Sequence, residues 1–272
     1  EMFPLLDEAG RPGPAATVET MPVASQLQKS RLPFAPEVLV HVGRSAEFRM
    51  PPLVARYEFE FVNEFSGAVQ IVMEPDSIRG EWSLSVNGAA PIGPAAFAPC
   101  AAHVRGSLAV DATAMLRPGP NTLRLDVRAT RPDHGLLNPL YLAGGFGVAF
   151  SPLRLTAPKS EGSFEDYLAN GLPFYAGAIE YETTFRLDRL PPEKDFILDF
   201  DFGPQFQEAA ELSINNGPWL PAPWLPYRVK ASPASVRAGE NRLAVRVHTT
   251  LIRSFEGQWF DTRIHAHRSV EE

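Results

Sequence analysis

A chain of 272 residues with 44% hydrophobic and 21% charged content has the composition of a folded globular protein, and it is long enough for one large domain or two ordinary ones. The formal net charge of −7 argues against a nucleic-acid surface, which needs a basic face. No run of about eighteen apolar residues offers a membrane span, and the single cysteine, Cys100, excludes an intrachain disulfide.

The chain opens at Glu1 rather than at a methionine and shows no basic segment followed by an apolar core. The expectation is a chain without a signal peptide, processed or cut from something longer. Residues 1–50 are rich in proline (Pro4, Pro12, Pro14, Pro22, Pro33, Pro36) and read as a linker or an extended arm. Phe3, Leu5, Leu6 and Phe34 could pin such an arm, and Glu37–Gly43 alternates as an edge strand would. Residues 51–155 then read as a first β-sandwich and 156–272 as a second. The 27 prolines and 20 glycines suit many turns and extended edges rather than long helices.

In the first sandwich, Leu53–Phe61 alternates, with Tyr57, Phe59 and Phe61 on one side and Glu58 and Glu60 on the other. Period two with aromatics means a half-buried strand. A second strand ends at Glu74. A third starts at Trp82 and ends in the turn Asn87-Gly88. A fourth runs from Ser107 to Asp111. Asp111 caps a short helical turn that Pro118-Gly119 ends. The next strand points Leu123, Leu125 and Val127 inward. At the join, Ser163–Asp166 reads as a capping box and Asn170-Gly171 as a helix stop.

The second sandwich repeats this order. Tyr181–Phe185 matches Tyr57–Phe61, and Asp195–Gly203 alternates Phe196, Leu198, Phe200 and Phe202 against Ile197, Asp199 and Asp201. A strand from Glu211 ends in Asn215-Asn216-Gly217. Ser232-Pro233 caps a turn where Asp111 does, and Leu243, Val245 and Val247 face inward. Tyr181 follows Tyr57 by 124 residues, Leu212 follows Leu84 by 128 and Asn241 follows Asn121 by 120. A near-constant offset at three landmarks indicates one unit used twice. Short strands with regular turn signals give an all-β chain of two sandwiches or jelly rolls.

Val86-Asn87-Gly88, Asp111 and Gly119-Pro120-Asn121 in the first copy resemble the galactose-binding-like β-sandwich found as the sugar-binding domain of glycoside hydrolase family 2. Ile214-Asn215-Asn216, Pro226-Tyr227 and Gly239-Glu240-Asn241 do so in the second, with one Asn read as inserted. Gly171–Phe185 and Leu136–Val148 look like segments of large α-L-rhamnosidase-like hydrolases akin to glycoside hydrolase family 106. The resemblance covers roughly residues 55 to 262. It implies two tandem galactose-binding-like jelly rolls behind a Pro-rich arm, from a periplasmic or extracellular bacterial enzyme. Its partners would be carbohydrate and a neighbouring catalytic domain of the same polypeptide. Catalysis in such proteins sits on a separate barrel, which takes about 250 residues. Two sandwiches use most of this chain, so no glycosidase centre is expected within it. The alternatives are a freestanding carbohydrate-binding protein and a hydrolase with its site between the sandwiches, using some of Asp199, Asp201, Glu208, Glu256 and Asp261.

The segment from Pro218 to Tyr227 is the binding candidate. Trp219, Trp224 and Tyr227 stand among prolines, and flat rings stack on the apolar CH faces of sugars while rigid prolines lower the cost of ordering. The competing reading is that these rings fill the sandwich end or an interface. Gln258 and Trp259, near Asp261, form a second candidate. Alternation explains Asp199 and Asp201 as solvent-facing acids; Glu208 and Glu211 follow them in sequence. His265 and His267 would share one face of a strand, but two ligands fall short of a transition-metal site. No cofactor is expected. Structural Ca²⁺, held partly by backbone oxygens, is compatible with the fold. Cys100 lies among apolar residues, which suits an inert thiol.

Overall fold

A computed structural model describes residues 2–7, 12–17, 23, 53–150, 152–162, 170–190, 195–202, 206, 208–249, 259–261 and 266–268. The chain is all-β and divides into two compact units. The first comprises Glu1–Phe146 with Pro152–Ala157; the second comprises Gly147–Ser151 with Pro158–Glu272. The proposed edge strand at Glu37–Gly43 and the capping box at Ser163–Asp166 lie outside the described residues.

The N-terminal stretch, read above as linker or arm, contributes a hairpin. Strands β1 (Met2–Asp7) and β2 (Pro12–Thr17) pair antiparallel, and β1 pairs in turn with β3 (Leu53–Asn63), setting Leu5 opposite Ala55. Proline has no N–H to give a ladder, so it is tolerated at edges. Pro12 and Pro14 stand on β2, which among the described residues pairs with β1 alone, and Pro4 precedes the β1–β3 register.

The remaining strands among the described residues run from two to eleven residues. They are β4 (Val69–Met73), β5 (Ile78–Arg79), β6 (Glu81–Val86), β7 (Ala98–Pro99), β8 (Leu108–Asp111), β9 (Gly119–Ala129), β10 (Gly135–Leu136), β11 (Leu140–Gly144), β12 (Gly147–Ala149) and β13 (Arg154–Thr156). The second unit continues with β14 (Ala178–Leu187), β15 (Phe196–Asp199), β16 (Ala209–Ile214), β17 (Leu220–Ala222), β18 (Arg228–Ala231), β19 (Gly239–His248), β20 (Trp259–Asp261) and β21 (Ala266–Arg268).

In the first unit β9 lies between β3 and β6, and pairs with β3 along its whole length from Leu53–Ala129 to Asn63–Gly119. A second sheet has the order β11-β4-β8-β7. Between the sheets, Leu53, Ala55, Tyr57, Leu84, Leu123, Leu125 and Val127 pack with Ile71 and Met73. Burying each large aliphatic contributes roughly 1.5–3 kcal/mol, which is what the alternation in the sequence encodes. Phe59 is the exception. It shares the parity of Tyr57 and Phe61 but is 40% exposed, stacked beside Phe61.

In the second unit the main sheet has the order β14-β19-β16-β17, and β15 pairs with β18. Leu212, Ala222, Val229, Val245 and Val247 form the core with Phe202, Phe206 and Tyr227. A satellite cluster joins Ile214, Ala231 and Val236 to Phe185, Leu187, Phe196 and Leu198. The alternation read for this stretch holds from Asp195 to Phe202: Ile197 and Asp199 face water while Leu198 packs inward.

Each unit is closed by the same asparagine network. Asn87 has φ 55° and starts a tight turn in which Ala89 N–H donates to Val86 O. Its side chain donates to Asn121 Oδ1 (2.8 Å) and Met115 O, and accepts from Thr122 N–H. Asn121 in turn accepts from Arg117 N–H and donates to Arg117 O and Gly119 O. In the second unit Asn215 donates to Asn241 Oδ1 (2.8 Å) and Ser235 O and accepts from Arg242 N–H. Asn241 meets Arg237 N–H, Arg237 O and Gly239 O in the same way. Gly119 and Gly239 have φ of 86° and 93°, a region a side chain disfavours. The turn at Ile214 also corrects the reading of an inserted asparagine. Gly217 N–H donates to Ile214 O, and Asn216 takes the place of Gly88 with φ 61°. No residue is inserted; asparagine is a residue that tolerates this left-handed backbone.

Candidate functional site

The segment from Pro218 to Tyr227 begins on the main sheet of the second unit. β16 and β17 pair Leu212 with Leu220, Glu211 with Pro221 and Ala210 with Ala222. Leu220 and Ala222 pack on the core, so alternation turns Trp219 and Pro221 to the outer face. Arg246 reaches that face from β19, where the register sets it between Glu180 of β14 and Glu211 of β16. Its guanidinium lies over the Trp219 ring, 3.9 Å from the centroid. It also pairs with Glu180 (3.2 Å) and Glu211 (3.6 Å), and His248 Nε2 lies 3.1 Å from Glu211. Four residues back along β19, Arg242 pairs with Glu182 and Asn216. Exposed ion pairs of this kind contribute little each, about 0–1 kcal/mol, and an exposed cation–π contact roughly 0.5–1 kcal/mol. Their effect is positional. Arg246 is held by three partners, and it occupies one face of the Trp219 ring.

Beyond β17 the segment leaves the sheet. Trp224 is 73% exposed and Leu225 70% exposed, between Pro223 and Pro226. Tyr227 turns the other way and is only 3% exposed. Its ring meets Phe202 at 5.1 Å and Phe206 at 5.2 Å, both edge-on, and its hydroxyl donates to Glu208 O at 3.2 Å. Burial pushes the phenol pKa up, and the charge of Glu208 adds to this. Tyr227 therefore roots the loop in the core and leaves no ring face for a ligand. The three aromatic residues read together from the sequence divide into an outer-face ring, a loop-tip ring and a core ring. Gln258 lies outside the described residues. Trp259 stands on β20, opposite Arg268 on β21, with its side chain outside the description.

The acidic residues singled out from the sequence have separate surroundings. Asp199 pairs with Arg228 (2.9 Å) at the surface, Glu211 pairs with Arg246 and His248, and Glu208 is buried beside Tyr227. Glu256 is not described, nor is the side chain of Asp261. Among the described residues no group of three or more His, Cys, Asp or Glu side chains could hold a metal ion. The His265–His267 pair lies outside that description. Cys100 is a half-buried free thiol.

Two arrangements were not foreseen. In the second unit a cleft of about 280 Å³ is lined by Asp195, Ile214, Pro218, Leu220, Lys230 and Ser235, among others. In the first unit His103 Nε2 lies 2.8 Å from Glu74 Oε1, which also accepts from the Tyr141 hydroxyl. The His103 and Tyr141 rings are 4.3 Å apart. Neither has a local sequence signature, because each joins residues from strands and loops far apart in the chain.

No known protein-family model matches the chain, and no curated protein does. Among solved structures it is similar to the rhamnosidase from Novosphingobium sp. PP1Y, at 18% identity and TM-score 0.30 over 76% of this chain and 18% of that one. It is similar to the β-D-mannosidase from Dictyoglomus thermophilum, at 12% identity and TM-score 0.35 over 92% of this chain and 30% of that one. It is also similar to the exo-chitosanase from Amycolatopsis orientalis, at 13% identity and TM-score 0.35 over 90% and 28%. The chain thus spans less than a third of the length of each. Among the described residues no helix is long and apolar enough to cross a membrane.

Proposed function

We propose that this chain is a non-catalytic carbohydrate-binding region of a larger glycoside hydrolase acting outside the cytoplasm, with the Trp224 loop of the second unit as its contact with polysaccharide. The observation that carries the reading is the exposure of Trp224 and Leu225 side by side at a loop tip rooted by a buried Tyr227. An aromatic ring offers on the order of 150–250 Å² for burial. At about 25 cal/mol per Å², leaving most of the indole in water forgoes roughly 3 kcal/mol. A sugar face laid on the ring would recover part of that, and the flanking prolines reduce what ordering costs.

The test is glycan-array binding by the intact chain and by Trp224→Ala and Trp219→Ala. Binding that falls at least tenfold in Trp224→Ala, with the melting temperature unchanged, supports the reading. Binding that persists in both variants overturns it, and points to Trp224 being covered by a neighbouring domain instead.

A further inference from the structure

We infer that the cleft between the Ile214–Leu220 turn and β18 is a subsite for one neutral pyranoside ring. The inference rests on the carbohydrate-binding reading above and assigns it a second contact and a ligand class.

Part of the cleft's lining is apolar: Ile214 and Ala231 are buried, and Leu220 packs against the cluster they belong to. Another part is polar. Asp195 and Lys230 form an ion pair of 2.7 Å, and Ser232 and Ser235 line the cleft from the 3₁₀ turn Pro233–Ser235 and its cap. Ser232 Oγ accepts from Ala234 N–H, which leaves its own hydroxyl proton to donate. Ser235 Oγ donates to Ser232 O and keeps lone pairs to accept. Donor and acceptor groups therefore line the cleft together with apolar side chains, the mixture a sugar needs for its hydroxyls and its CH groups.

Size and charge narrow the class. Pockets for drug-sized ligands begin at about 300 Å³, so a cleft of about 280 Å³ seats about one ring. The carboxylate and the ammonium neutralise each other. Vicinal hydroxyls can donate to Asp195 and accept from Lys230 without breaking the pair. A uronate meets the like charge of Asp195 and an amino sugar that of Lys230, while the opposite charge is already engaged in the pair. The Asp195 hydrogen bond holds the Lys230 pKa up, so the ammonium stays charged throughout the neutral range. The cleft also adjoins the aromatic segment directly, since Pro218 and Leu220 line it and flank Trp219.

The experiment is amide and indole NMR of the intact chain titrated with neutral methyl pyranosides, with glucuronate and with glucosamine. The expected result is that neutral pyranosides shift the Gly217, Ala231, Ser232 and Ser235 amides at millimolar concentrations. The charged sugars should act more weakly, by about twofold to fivefold. Asp195→Ala and Lys230→Met, both at exposed positions, should abolish these shifts and keep the dispersed spectrum of the folded chain. Shifts of the Trp224 indole without shifts at the cleft overturn the subsite and leave the loop reading standing. Equal response to charged and neutral sugars overturns the ligand class. No shift at either place, with polysaccharide included, overturns both readings.

Discussion

The buried asparagines tie the turn of each unit to its central strand. Asn121 and Asn241 are 1% and 0% exposed, and each side chain makes four hydrogen bonds. Leaving a buried donor or acceptor unmet costs about 1–3 kcal/mol. Asn241→Ala should therefore cost roughly 3 kcal/mol or more, read as the shift in the denaturation midpoint. Tyr227→Phe removes one donated hydrogen bond and should cost about 1 kcal/mol. The same residue gives a pH dependence. Tyr227 and Lys230 both hold their protons more tightly in the fold than the ordinary values of 10.0 and 10.5, through burial and through the hydrogen bond to Asp195 respectively. Their contribution to stability is complete below those values and is lost as pH rises through the higher folded ones. Denaturation midpoints measured from pH 8 to 11 should fall above about pH 10, and Tyr227→Phe should flatten part of that fall. Asp111 acts oppositely. The hydrogen bonds from Thr113 hold its carboxyl below the ordinary 3.8, so its contribution is present above that value and is lost in acid.

At the scale of the element, the central strands β9 and β19 decide the units. β9 carries Leu123, Leu125 and Val127 into the first core, and β19 carries Val245 and Val247 into the second. Leu125→Ala should cost about 2–5 kcal/mol by loss of burial and a residual cavity, measured by chemical denaturation. These strands were legible in the sequence because strict alternation has one meaning in a half-buried strand. The caps were legible too: Asp111 accepts from Thr113 N–H and Ser232 from Ala234 N–H, as short polar side chains before a turn do. What could not be read is pairing and loop direction. Arg246 faces outward by parity, but its position over Trp219 follows from the register of β16 with β17 and β19. The loop from Pro223 to Tyr227 has no period, so nothing local says that Trp224 faces water and Tyr227 the core. The hairpin of β1 and β2 was hidden by its prolines, which edge positions tolerate.

For the whole molecule, the main core clusters of the two units share no residue. Asn121→Ala and Asn241→Ala should accordingly weaken different parts of the chain, and hydrogen exchange should report lost protection on β9 in one variant and on β19 in the other. The functional claim depends on the second unit, whose Trp224 loop has a deep aromatic root and an open tip. The most direct measurement is tryptophan fluorescence of the intact chain titrated with the polysaccharide that binds best on the array. The account predicts a saturable blue shift that Trp224→Ala removes and Trp219→Ala only weakens, because Arg246 already covers one face of that ring. A shift that survives intact in Trp224→Ala, or no shift with any polysaccharide, would contradict it.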